Sequence, residues 1–180
     1  MDKSSSIQQS GFTHYLQKMK GQSTSPLKVN TKDAFTGLVG GSIAIFLLIY
    51  LTKLTDTEWL MAPFGASCVL VFAVWNAPVS QPRNIIGGHL ISASVGLLLY
   101  HLFGAEPWTL ALGVGLAIAC MMLTKTTHPP AGANPIIVIV GGYNWSYLVT
   151  PVLIGAVIIV IVALLINNLR SDRYYPTFWR

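Results

Sequence analysis

Carboxylates are nearly missing from this chain. Only six Asp and Glu occur in 180 residues, and Asp56, Glu58 and Glu106 stand at the ends of apolar runs rather than within them. A cation pathway or a carboxylate proton relay therefore has no obvious parts. With no HExxH, no paired carboxylates and no activated serine or cysteine arrangement, there is also little from which to build a hydrolytic enzyme. Cysteine is equally scarce: Cys68 and Cys120 lie within apolar stretches without metal-ligand spacing, so both read as buried, reduced thiols. No disulfide framework, metal centre or cofactor is expected. The first 33 residues lack the apolar core of a cleavable signal.

Apolar residues are what the chain has in excess. It is 53% hydrophobic and 9% charged, with runs of about 20 residues, the length that crosses a bilayer at 1.5 Å rise per residue. The long runs are Ala34 to Leu54, Pro82 to Phe103, Trp108 to Thr124 and Tyr147 to Leu169, with shorter ones at Ala62 to Trp75 and Ala131 to Gly142. An all-α membrane protein follows.

The net charge of +5 sits mostly at the two ends, in Lys3, Lys18, Lys20, Lys28 and Lys32 before the first run and Arg170, Arg173 and Arg180 after the last. Basic residues beside spans place both termini in the cytoplasm and need no nucleic acid to explain them. Residues 1–33 and 170–180 are read as basic tails flanking the membrane region. In "FTHYLQKMK", Phe12, Tyr15, Leu16 and Met19 share one helical face, which suits a short helix on anionic headgroups or a solvated tail. His14 there needs no function.

The chain repeats itself. "LTKLT" at Leu51 to Thr55 returns as "LTKTT" at Leu123 to Thr127, "PFGASCVLVFAV" from Pro63 returns as "PAGANPIIVIVG" from Pro130, and Pro82 and Pro151 each open a long run. Three matches in one order predict two membrane repeats, 34–103 and 104–169. Each is a long helix, a Pro/Gly-broken short helix and a second long helix. If the short segments only dip in and return, Lys53, Arg83 and Lys125 all face away from the termini. If they cross, Arg83 and Lys125 lie inside and only Lys53 lies outside, which the charge rule favours. Three passages per repeat make the two repeats inverted, as in many transporters.

Prolines at 129, 130 and 135 forbid a continuous helix through the second broken segment, so extended backbone is expected there. Asn134 before Pro135 has the order of an N-cap and first-turn proline, and Ser67 takes the same role in the first repeat, with a helix from about Cys68 to Trp75. Helices this short start near the midplane, and two N-termini meeting there offer N–H groups and partial positive charge to an anion. The candidate anion-binding residues are Gly65, Ala66, Ser67, His128, Gly132, Ala133 and Asn134. Lys53, Arg83, His89 and Lys125 are candidates for the vestibules and pathway. Each has a plainer reading beside it: snorkelling for the lysines, loop anchoring for Arg83, helix–helix hydrogen bonding for His89. His101 reads as interfacial. The glycines of the first and third long runs permit tight helix contact.

At "THPPAGAN", "APFGASCVL" and "SQPRNIIGGHL" the sequence resembles the HPP family of small integral membrane proteins, over roughly Ala34 to Leu169. The resemblance implies a membrane protein, and members in cyanobacteria and plastids are linked to nitrite transport. That family is usually described with four spans; counting both broken segments as passages gives six. The expectation is a channel or transporter for a small monovalent anion, nitrite favoured, in a bacterial inner membrane and as a homo-oligomer on packing grounds. The alternatives are a non-transporting membrane scaffold or subunit, and a membrane enzyme using His128 or His89 as base or ligand.

Overall fold

The computed structural model describes residues 11–20, 23–25, 28 and 30–179, with backbone alone described at 11–13. Among these residues every regular element is helical. Chain contacts separate a unit ending at Asn30 from one beginning at Thr31. In the first, α1 (Gly11–Lys18) holds Tyr15 and Leu16 exposed, with Met19 exposed just beyond it. Lys3, Arg180 and the Phe12 side chain lie outside the described residues.

The second unit contains α2 (Thr31–Thr55), α3 (Ala62–Ala73), α4 (Pro82–Phe103), α5 (Pro107–Leu123), α6 (Asn134–Gly141) and α7 (Ile154–Asn168). Proline in the first turn starts α3, α4, α5 and α6, where its missing N–H would have been unpaired anyway. Glu106 and Thr109 close a capping box on α5. At its other end, Lys125 at φ 58° turns the chain away, while the Thr126 N–H returns to the Met121 carbonyl at 2.8 Å. The segments α2, α4 and 145–168 are long and apolar enough to cross a membrane, and shorter apolar helices lie between them.

Hydrogen bonds show which ends lie together. Asp33 at the start of α2 accepts from Arg170 and Arg173, just past α7, at 2.6 Å each. Arg173 also donates to the Phe72 carbonyl at the end of α3, and the Tyr175 hydroxyl donates to the Ser80 carbonyl just before α4. Arg83 and Asn84 reach the Thr124 and Thr127 carbonyls beyond α5. At the opposite end the Tyr143 hydroxyl donates to Glu58, and the rings of His101 and Trp145 lie 5.6 Å apart. The segments α2, α3, α4, α5, 129–141 and 145–168 therefore alternate in direction. The start of the first and the finish of the last share one end.

Three expectations are corrected. The stretch from Pro129 to Ala133 is a 3₁₀ turn running directly into α6, and the backbone is extended at His128 just before it, at φ −137° and ψ 102°. Adjacent prolines bar helix before them but fit the first turn after them. Ser67 is no N-cap: α3 begins at Ala62, with Met61 in the cap position, and Ser67 lies five residues inside. Asn134 does not cap α6 either, because its side chain bonds elsewhere. In addition, Pro151 lies within its run, where Thr150 leaves helical geometry and α7 proper starts at Ile154.

Arg173 was expected to flank the membrane as a tail residue. It is instead buried, with its guanidinium bonded to Phe72, Asn167 and Asp33 and lying 5.6 Å from the Trp75 ring. Burial without partners would strand its charge, so the segment after α7 folds back to find them.

Candidate functional site

Glycines of α4 admit close approach by the second broken segment. A Cβ at Gly88 would stand 2.7 Å from the Cβ of His128, and one at Gly96 would stand 2.7 Å from the Cα of Pro135. Absence of side chains at these positions lets the segment from Thr126 to Pro135 lie against the helix. His128 and Asn134 are thereby brought beside His89.

Four side chains then join. Asn134 Nδ2 lies 3.0 Å from His89 Nδ1 and 3.1 Å from the His89 carbonyl. Ser67 Oγ lies 2.9 Å from His89 Nε2 and 2.8 Å from His128 Nε2. His128 Nδ1 lies 2.7 Å from the Val79 carbonyl. All four residues are buried, at 0–1% exposure.

The partners assign the hydrogens. The His89 carbonyl can only accept, so Asn134 turns its NH₂ toward His89; His89 Nδ1 then accepts and His89 Nε2–H donates to Ser67. The Val79 carbonyl likewise can only accept, so His128 carries its hydrogen on Nδ1 and its Nε2 accepts the Ser67 hydroxyl. Every hydrogen in the chain from Asn134 to Val79 is thus committed. One acceptor is left over: Asn134 Oδ1 is buried with no hydrogen-bond partner. Ser67 Oγ has a second outlet, the Pro63 carbonyl at 3.2 Å.

Of the expected site residues, Ser67, His89, His128 and Asn134 meet in this network. Gly65, Ala66, Gly132 and Ala133 do not. A Cβ at Gly65 or Gly132 would meet nothing within 4 Å. Ala66 and Ala133 line a separate groove of about 460 Å³, together with Ala62 and Pro63 from the first broken segment and Pro129, Pro130, Ile136 and Ile137 from the second. Its lining has no polar side chain. The expected fan of unpaired N–H groups is also missing there, because Pro129 and Pro130 have none and the Ala131 N–H is bonded to the His128 carbonyl.

The charged candidates take opposite ends. Lys53 is exposed near the end of α2, on the side of Glu58, whereas Arg83 and Lys125 lie at the end that holds Asp33 and Arg173. His101 Nδ1–H donates to the Leu97 carbonyl at 2.9 Å, and the residue takes no part in the network. Among the described residues no three His, Cys, Asp or Glu side chains cluster as a metal site would require.

Sequence reasoning missed Ser92, which donates to the Ala131 carbonyl at 2.5 Å and steadies the 3₁₀ turn. Its position three residues after His89, on the same helix face, was the available signal. It also missed Asp33, one residue before the expected start of the first run.

These features define an all-helical, multi-pass membrane protein with a buried polar network shared by its two halves. The sequence profile of the HPP transmembrane region matches residues 26–176, and the chain belongs to that family. It is also similar to two proteins of Dictyostelium discoideum, each described as a transmembrane protein. One is 34% identical over 93% of this chain, and the other 36% identical over 81%. The chain spans 58% and 53% of their respective lengths. No solved structure matches.

Proposed function

We propose that this protein is a transmembrane channel or transporter for a small monovalent anion, with nitrite the first candidate. The observation that carries the reading is the joining of four neutral polar side chains from both halves, buried together with no carboxylate among their partners. Polar groups at membrane depth are expensive and mark substrate or proton pathways by default. Ser67, His89, His128 and Asn134 are the polar contacts. Lys53 on one side and Arg83 and Lys125 on the other attract anions to the two mouths.

The two halves act as inverted repeats in this reading. Matched positions support it, since Ala62, Pro63 and Ala66 face Pro129, Pro130 and Ala133 across one groove, each pair having the same spacing in sequence. The network does not lie at the midplane: His89 is seven residues into α4, about 10 Å along a helix of about 33 Å. It is nearer the end carrying Asp33 and Arg173, which this reading assigns to the cytoplasmic side of a bacterial inner membrane. A homo-oligomer in lipid completes the picture, with the exposed Gly65 and Ala66 face available for helix contact. No catalysis is assigned.

The test is flux from proteoliposomes. Wild type should pass nitrite in preference to chloride, and Asn134→Leu should insert normally yet pass neither. Absence of anion flux from correctly inserted wild type would overturn the proposal and favour a membrane scaffold, for which the closed hydrogen bonding would serve as a pin between the halves.

A further inference from the structure

An anion entering this network meets no donor. Both Asn134 Nδ2 hydrogens go to His89, the His89 Nε2–H goes to Ser67, the Ser67 hydroxyl goes to His128, and the His128 Nδ1–H goes to Val79. What stands open is an acceptor, Asn134 Oδ1. A bare anion is therefore mismatched, whereas a ligand that brings a hydrogen is not.

The network can also take up one proton without losing a bond. With a proton added at His128 Nε2, that nitrogen donates to Ser67 Oγ, and the Ser67 hydroxyl turns to the Pro63 carbonyl, already 3.2 Å away. Ser67 then accepts from both imidazoles and donates once, which is its full capacity. The Val79 and Asn134 bonds stay as they are. Buried positive charge with no counter-ion is costly, however, and the elements touching the pair supply none. Their other titratable or charged side chains are Cys68 on α3, Arg83, Tyr100 and His101 on α4, and Lys125 before His128. None of these bonds to either imidazole, and the Pro78–Ser80 turn and α6 contribute no such group. An anion beside His128 would supply the missing negative charge.

From this we infer that the anion crosses together with one proton, bound at the His128–Ser67–His89 relay, so that transport is electroneutral symport. The inference rests on the anion-transport reading above. Written as a step, the undissociated acid HA gives its proton to Ser67 Oγ as Ser67 passes its own hydrogen to His128. The acid's O–H bond breaks and a new O–H bond forms at Ser67, the old Ser67 O–H bond breaks and an N–H bond forms at Nε2, and A⁻ remains beside the relay. The reverse step on the other side releases HA, or A⁻ and H⁺, and the network returns to its neutral form.

The experiment uses wild-type protein in liposomes loaded with a pH-sensitive dye, with potassium and valinomycin holding the membrane potential. An inward nitrite gradient should acidify the lumen by one proton per nitrite taken up, above the leak of protein-free liposomes. The initial rate should rise with external proton concentration and should be the same with the potential held at zero or negative inside. His128→Gln should abolish the acidification. Nitrite uptake without acidification, or slowed by a negative interior, would overturn the symport while leaving an anion uniporter. Acidification at the wild-type ratio in His128→Gln would remove the assigned proton site. A wild type that passes no nitrite at all would overturn the anion reading itself.

Discussion

Two buried polar clusters hold this molecule, and they are built on opposite plans. At the end of the bundle, Arg173, Arg170, Asp33 and Asn167 form an ionic cluster in which two guanidiniums share one carboxylate. Further inside, Asn134, His89, Ser67 and His128 form a chain with no formal charge. The difference follows depth. At the end, Asp33 keeps a third of its side chain exposed and Asp172 pairs Arg170 from the surface, so the charges are partly hydrated. Inside, ionised groups would lose that hydration, and tautomer choice replaces charge pairing as the means of matching donors to acceptors. One cluster anchors the chain ends; the other joins its halves and leaves an acceptor open.

The largest effect is expected at the ionic cluster. Arg173→Ala removes a buried partner from Asp33, Asn167 and the Phe72 carbonyl together, a loss of about 3 kcal/mol or more. Denaturant unfolding in detergent would measure it. If the anion-transport proposal holds, protein that still folds should transport at the wild-type rate per molecule, because the cluster makes no bond to the Ser67–His89–His128–Asn134 network. Equal loss of flux and stability would erase the contrast between the two regions.

Next comes Ser67→Ala. Both imidazole Nε2 atoms lose their buried partner, at about 2 kcal/mol, and here flux should vanish even where folding is retained. Flux at the wild-type level in folded Ser67→Ala would reduce the network to a structural pin.

A smaller effect separates the glycines. Gly88→Ala should destabilise by about 1 kcal/mol or more, because its Cβ has only 2.7 Å to the Cβ of His128 and 2.9 Å to the Thr126 carbonyl. Gly132→Ala, with open space around it, should stay within about 0.5 kcal/mol. Paired melting curves of the two variants would check this.

The smallest effect belongs to Asp172, whose carboxyl the Arg170 guanidinium holds below its ordinary value of 3.8. A lowered carboxyl stabilises the fold above that value and loses the contribution as pH falls through its folded pKa. Asp172→Asn should therefore melt slightly lower than wild type near neutrality and converge with it in acid. A gap that widened on acidification would contradict the pairing.

Much of the architecture was legible. Long apolar runs gave α2, α4, α5 and the segment ending in α7 nearly residue for residue, because crossing a bilayer imposes a length that composition displays. The duplicated Pro-x-Gly-Ala motifs pointed to the two broken segments and to Ser67, His128 and Asn134. The capping roles of Ser67 and Asn134 were misjudged for one reason: proline before a helix looks like a breaker when read forward, yet it starts the helix that follows. Reading Pro63 as part of a break moved the start of α3 past Ser67, and turned a side chain that faces two histidines into an expected cap.

Sequence by itself determined a multi-pass helical membrane protein with recurring proline-glycine motifs, since apolar length, proline placement and charge position act locally along the chain. Only the tertiary structure decided that His89 meets His128 and Asn134 through Ser67, and that Arg173 turns inward to Asp33. Those pairings span 22 to 140 residues of sequence. They depend on glycine-lined approach between helices and on matching each buried hydrogen to an acceptor, and neither leaves a local mark.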